Sequence, residues 1–210
     1  MMPILARFRG LYEQTTIPLG KICLRLGLTP DMLTITSLIA GGLAAYVTAR
    51  GAFWLGIALI LVMALFDMLD GATARAGGTA SPFGTVFDHV VDRYAEFLIL
   101  LGVMMSGAVA PAWAMFALFG MIMASYVRAR AESTGLVPSC NVGFAGRQEK
   151  LAILMLGMAL QPLYPHLALL EWAVIGVGVA SHITALQRLL YTRRILQRRG
   201  DGSSTRGDRR

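Results

Sequence analysis

Residues 67–92 read DMLDGATARAGGTASPFGTVFDHVVD. Four aspartates, Asp67, Asp70, Asp88 and Asp92, stand in this one stretch, and apolar sequence runs away from it on both sides. Asp67 and Asp70 share one face of a helix, and so do Asp88 and Asp92, because residues three or four apart lie above one another on an α-helix. Between the pairs, Gly77, Gly78, Ser81 and Pro82 predict a tight turn. The turn makes the two helices antiparallel neighbours whose acidic faces meet. Carboxylates gathered in one poorly solvated volume repel strongly, so the pattern calls for a cation. Carboxylate oxygens suit hard ions such as Mg²⁺ or Mn²⁺, and there is no His/Cys set to favour zinc. Buried ion pairs or ordinary helix-end acids explain two such residues better than four.

The flanks decide the fold class. The chain has 210 residues, 56% of them hydrophobic, and a mean hydropathy of +0.61. That is more apolar than a soluble domain. A bilayer core needs about 20 mostly apolar residues per helix. Six stretches qualify: 31–49, 53–72, 86–107, 111–131, 150–164 and 167–190, the fifth being short. The expectation is an all-α integral membrane protein with six transmembrane helices. Thr29-Pro30-Asp31 reads as the start of the first, with Thr29 as cap, Pro30 at the first helical position and Asp31 at the positive helix end. Upstream, residues 4–26 mix apolar positions with Arg7, Arg9, Lys21 and Arg25, interrupted by Pro18 and Gly20, and read as an N-terminal interfacial amphipathic helix. Met1 to Gly10 lacks the pattern of a cleavable signal peptide. One membrane domain is expected over residues 1–197, its first 28 residues interfacial. The Gly/Ser/Arg/Asp-rich tail, 198–210, reads as disordered.

Net charge is +7. The basic residues flank apolar spans instead of forming an aromatic-interleaved patch, so membrane topology explains them better than nucleic acid. They fall in the N-terminal segment, between the fourth and fifth spans, and from Arg188 onward, while the opposite connections carry only Arg50. The positive-inside rule puts both termini, and the acidic turn with them, on the cytoplasmic side of the cell membrane. Cys23 and Cys140 have no partners at metal spacing and read as inert thiols.

Small residues share the acidic faces. Gly71 and Ala74 follow Asp67 and Asp70 by one turn, and Gly84 precedes Asp88 by one turn. They leave room for a bulky phosphate ligand or a close helix. Arg75 suits a phosphate oxygen.

The residues Asp67-x2-Asp70-Gly71-x2-Ala74-Arg75-x8-Gly84-x3-Asp88-x3-Asp92 resemble the full signature of the CDP-alcohol phosphatidyltransferases, with every fixed position and every gap matching. The resemblance extends over the six spans and the interfacial segment. It implies a homodimeric enzyme with two divalent ions, a CDP-linked lipid as donor, and attack by an acceptor hydroxyl with release of CMP. It implies that Asp67, Asp70 and Asp88 hold the metals, with Asp92 a shared ligand and the base for the acceptor proton. Gly71, Ala74 and Arg75 would line the nucleotide site, with Asp31 and Thr34 at its border. Two ions at such a site neutralise the diphosphate and stabilise the leaving oxygen.

The acceptor is read from a second basic set. Arg128 and Arg130 stand in SYVRARAESTG, Arg147 and Lys150 in GFAGRQEK, and Arg188 in SHITALQRL. Topology alone accounts for such clusters; a pocket for a second phosphate accounts for them equally in kind. These stretches resemble the branch that makes phosphatidylinositol phosphate, with its archaeol-using relatives. There, basic residues at the positions of Arg128, Arg147 and Arg188 grip the phosphate of inositol phosphate. The branch usually has Lys at the first position and an acid where Gly146 stands here. The rivals are glycerol phosphate as acceptor and, from another class, a cation transporter whose acids line an ion path. His89 points about 100° away from Asp88, so packing suits it better than catalysis. Glu96 lies one turn beyond Asp92 on the same face, with no role chosen. His166 and Glu171 read as solvated.

Overall fold

The structure, a computed structural model, describes residues 9–207, with side chains from 15 to 197. Seven α-helices follow in order: α1 Arg9–Arg25, α2 Pro30–Ala49, α3 Phe53–Gly77, α4 Pro82–Met105, α5 Pro111–Glu132, α6 Arg147–Leu160 and α7 Leu169–Gly207, the last preceded by a 3-10 turn at Pro165–Leu167. Among the described residues there is no strand.

Local chemistry sets the helix ends nearest the acids. Thr29 Oγ1 accepts the Met32 N–H at 3.3 Å, and Pro30 opens α2. Gly78 ends α3 in the left-handed region, with φ 63°, while the Thr79 N–H bonds back to the Ala74 carbonyl at 3.0 Å. Ser81 then caps α4, its Oγ accepting from the Gly84 N–H at 3.0 Å.

α2 is the hub of the N-terminal half. It packs on both α3 and α4, whereas α3 and α4 hardly touch along their lengths. The two acidic helices thus meet at their acids while most of their packing is on α2. α2 fits between them because its inner face is small: Ala40, Gly41, Ala44 and Ala45. A Cβ on Gly41 would stand 3.2 Å from Met63 of α3 and 3.5 Å from Ala95 of α4. α1 lies against α3. Pro18 and Gly20 do not interrupt it: the helix runs through both. Gly20 instead marks the crossing, where a Cβ would overlap the Ala72 carbonyl. In the C-terminal half α7 packs on α5 and α6, and the halves join through α4 with α5 and α3 with α6.

The core is rich in small residues, including Ala44, Ala95 and Ala117, while Ile39, Leu43, Trp54, Phe119 and Leu186 face outward. Small residues inside with large apolar ones outside is the pattern of helices packed in lipid. Four helices have the length and apolar composition to cross a bilayer: α2, α3, α5 and the stretch Pro165–Gln197. α4 is long enough but carries Asp88, Asp92, Arg93 and Glu96. α6 has 14 residues, about 21 Å at 1.5 Å per residue, short of a core of about 30 Å. α7 is described as far as Gly207; residues 208–210 lie outside the described part, as do 1–8 of the N-terminal segment.

Candidate active site

Asp67 of α3 and Asp88 and Asp92 of α4 each bring a carboxylate oxygen within 4.8 Å of the other two. Asp92 is buried, and Asp67 and Asp88 are half-buried. Asp70 is buried nearby but turned toward α2, where the Thr34 hydroxyl donates to its Oδ2 at 2.6 Å. Thr34 thus touches an acid directly. Asp31 is exposed at the start of α2. One turn beyond Asp67, the Arg75 side chain curls back over Gly71: a Cβ there would stand 3.1 Å from Arg75 Nη1. Ala74 is half-buried and Arg75 exposed, so this face stays open.

A direct cationic partner of the cluster comes from far along the chain. Arg147, first residue of α6, donates through Nη1 to both oxygens of Asp67, at 3.1 and 3.0 Å. The same nitrogen stands 2.7 Å from Asp92 Oδ1. Converging oxygens that attract a guanidinium in this way fit hard divalent cations, by donor type and by charge.

The other basic residues gather on the side of α5 and α7. Arg188 of α7 is 8% exposed. Its Nη1 donates to the Ala124 carbonyl at 2.6 Å, one turn before Arg128 on α5, and its Nε to the Val142 carbonyl at 2.9 Å. Arg128 pairs with Glu132 at 3.1 Å, and Glu132 also accepts the Cys140 N–H at 2.8 Å. Arg128 and Arg188 therefore lie within electrostatic reach of one another, while Arg147 binds the acids. Two further cations share the region: Arg93, on Glu96 at 3.1 Å and on Ser125, and the buried Lys150, within electrostatic reach of Arg93 and Arg188. Lys150 follows Arg147 by one helical turn, a spacing that could have marked it.

The set-aside residues divide. His89 and His166 are exposed. Glu171 is not simply solvated: it accepts the Ala110 N–H at 2.7 Å, tying the start of α5 to α7. Cys23 and Cys140 are buried free thiols.

The family pattern described as CDP-alcohol phosphatidyltransferase matches residues 27–185, from the cap of α2 into α7. The chain belongs to the CDP-alcohol phosphatidyltransferase family. It is accordingly an enzyme, a transferase, and a multi-pass membrane protein, which removes the reading of the acids as a cation path. Relatives of this phosphatidyltransferase include the archaetidylinositol phosphate synthase of Methanothermobacter thermautotrophicus, 31% identical over 90% of this chain and 93% of that one. The phosphatidylinositol phosphate synthase of Mycobacterium tuberculosis is 33% identical over 90% of this chain and 89% of its own. A crystal structure of that mycobacterial enzyme with CDP-DAG bound superposes with a TM-score of 0.76 at 32% identity, covering 85% of this chain and 94% of that one. Another, in complex with manganese and citrate, gives 0.76 at 33% identity, covering 84% and 88%.

Proposed function

We propose that this phosphatidyltransferase moves a phosphatidyl-type group from a CDP-lipid, CDP-diacylglycerol or CDP-archaeol, to a hydroxyl of inositol phosphate, releasing CMP. The observation that carries the reading is the neighbourhood of the Asp67–Asp88–Asp92 cluster. Arg147 bonds to it directly, and Arg128, Lys150 and Arg188 gather behind. The acids serve the donor's diphosphate, and the cations serve a second phosphate, which free inositol or serine lacks. The relatives that make inositol phosphate lipids support the same acceptor.

In this reading Asp67, Asp70 and Asp88, with Asp92 shared, hold two Mg²⁺ or Mn²⁺ ions. Bound there, the ions supply positive charge for the diphosphate and the leaving oxygen. The chain's residues do the rest. Gly71, Ala74 and Arg75 line the nucleotide, with Asp31 and Thr34 at its border; Thr34 also steadies Asp70. Asp92 takes the proton of the acceptor hydroxyl as its oxygen bonds to the phosphorus nearest the lipid and the phosphorus–oxygen bond to CMP breaks. Arg128, Arg147 and Arg188 bind the acceptor phosphate. The bonds from Arg147 to Asp67 and Asp92 support a position between the metal acids and that phosphate.

The same reading takes α4 and α6 as the remaining two of six spans, their charges facing the site. It takes α1 as interfacial, residues 1–197 as one membrane domain, and both termini and the site as cytoplasmic. The enzyme acts as a homodimer by family resemblance. The test is CMP release by purified enzyme from a CDP-lipid offered inositol phosphate, glycerol phosphate, inositol or serine, with and without a chelator. Inositol phosphate should give the highest rate, and the chelator should abolish it until Mg²⁺ or Mn²⁺ is restored. A higher rate with glycerol phosphate overturns the acceptor; full turnover in excess chelator overturns the metal mechanism.

A further inference from the structure

Glu96 lies outside the family signature, yet it is 6% exposed and set among cations. Its Oε1 is 3.1 Å from Arg93 Nη2 and 3.7 Å from Arg147 Nε. Lys150 lies within electrostatic reach of it. A cavity of about 20 Å³ borders Glu96, Arg147 and Lys150 together. Its remaining lining is apolar, with Met63, Ile99 and Leu154 among it, so the charged groups meet at its edge.

The arrangement is layered along two helices. On α4, Glu96 is one turn beyond Asp92; on α6, Lys150 is one turn beyond Arg147. Arg147 is held from both sides, by Asp67 and Asp92 at Nη1 and by Glu96 at Nε. A guanidinium is a rigid plane, so hydrogen bonds at Nη1 with the Glu96 charge on the Nε side favour one orientation. Arg93 is itself anchored on Ser125 of α5, which keeps it on the Glu96 side.

We propose that Glu96 is a positioning residue that sets the orientation of Arg147 between the metal acids and the acceptor phosphate. The inference rests on the reading of Arg147 as an acceptor ligand. Without the Glu96 charge, Arg93, Arg147 and Lys150 face one another with less compensation. The nearest remaining anions are Asp92 and Asp67, and Arg147 closes on them instead of on the acceptor.

The experiment is a double-mutant cycle in the purified full chain, with Glu96→Gln, Arg147→Lys and the pair. KM is measured separately for inositol phosphate and for CDP-lipid, and each variant's melting temperature is recorded. Glu96→Gln should raise the inositol phosphate KM by about tenfold, the size of coupling expected between touching charged groups. The CDP-lipid KM should stay nearly constant. In the Arg147→Lys background the same substitution should have little further effect, and Glu96→Asp should restore part of the loss in the wild-type background. Should Glu96→Gln fail to fold, Glu96→Asp takes its place in the cycle. An equal effect of the Glu96 change in both backgrounds, or an equal rise in both KM values, overturns the proposal. If Arg147→Lys alone leaves the inositol phosphate KM unchanged while the two residues still couple in kcat, positioning stands and the acceptor role of Arg147 falls.

Discussion

Replacing Arg188 with alanine tests two roles that the structure puts on one side chain. The guanidinium is buried and ties two backbone carbonyls from different parts of the chain, Ala124 on α5 at 2.6 Å and Val142 in the connection to α6 at 2.9 Å. Each is a charge-assisted hydrogen bond, which contributes about 1.5–3 kcal/mol. Ala124 lies inside α5, so its carbonyl keeps a helical partner when the guanidinium goes. The Val142 bond therefore carries most of the loss, and the relieved desolvation of a buried cation offsets part of it. A net loss of about 1–3 kcal/mol is expected, or a fall in melting temperature of roughly 2–12 °C for a chain of this size. Thermal unfolding in detergent reads the stability, and limited proteolysis of residues 133–146 reads the connection that Arg188 holds. Below the melting range, the inositol phosphate KM should still rise by roughly ten- to a hundredfold. Arg188→Lys separates the roles. An ammonium keeps the charge but not the planar fork that reaches both carbonyls. It should recover part of the acceptor affinity and little of the stability. Wild-type melting and protease resistance in Arg188→Ala would refute the structural tie. A lowered melting temperature with unchanged KM would leave Arg188 a structural residue and remove it from the acceptor pocket.

Thr34→Val keeps shape but removes the 2.6 Å donor to Asp70. Mn²⁺ affinity, measured by calorimetry on the purified protein, should weaken by about 10–100-fold as for other outer-shell losses; unchanged affinity would mean that the hydroxyl does not orient a ligand. Asp92→Asn keeps the size of the side chain but removes its basicity, so turnover should vanish while CDP-lipid binding largely survives; near-normal turnover excludes Asp92 as the base. Gly20→Val puts a side chain into the Ala72 backbone. It should destabilise the fold by about 1–3 kcal/mol by forcing α1 off α3; an unchanged melting temperature would show that the crossing is not tightly packed.

What the sequence determined by itself was whatever depends on short spacing. The start of α2 follows from Thr29 and Pro30, and the turn between α3 and α4 from Gly78, Ser81 and Pro82. Helical periodicity put the aspartates on common faces, and three of them meet. Those features are set within one or two turns of helix, where backbone sterics and capping dominate. The tertiary structure decided the rest. The turn makes α3 and α4 neighbours whose acids meet, but it says nothing of α2, whose small inner face packs against both. Gly20 reads in the sequence as a break and in the fold as a crossing, because only the approach of α3 reveals why a side chain is excluded there. The charge of Arg147 was legible, but its partner Asp67 lies 80 residues away. Which acid a cation meets depends on which helix faces pack, and that is settled by the summed fit of many apolar side chains. Arg188 binds backbone carbonyls. Every residue carries a carbonyl, so no side-chain pattern in the sequence could mark those two as its partners.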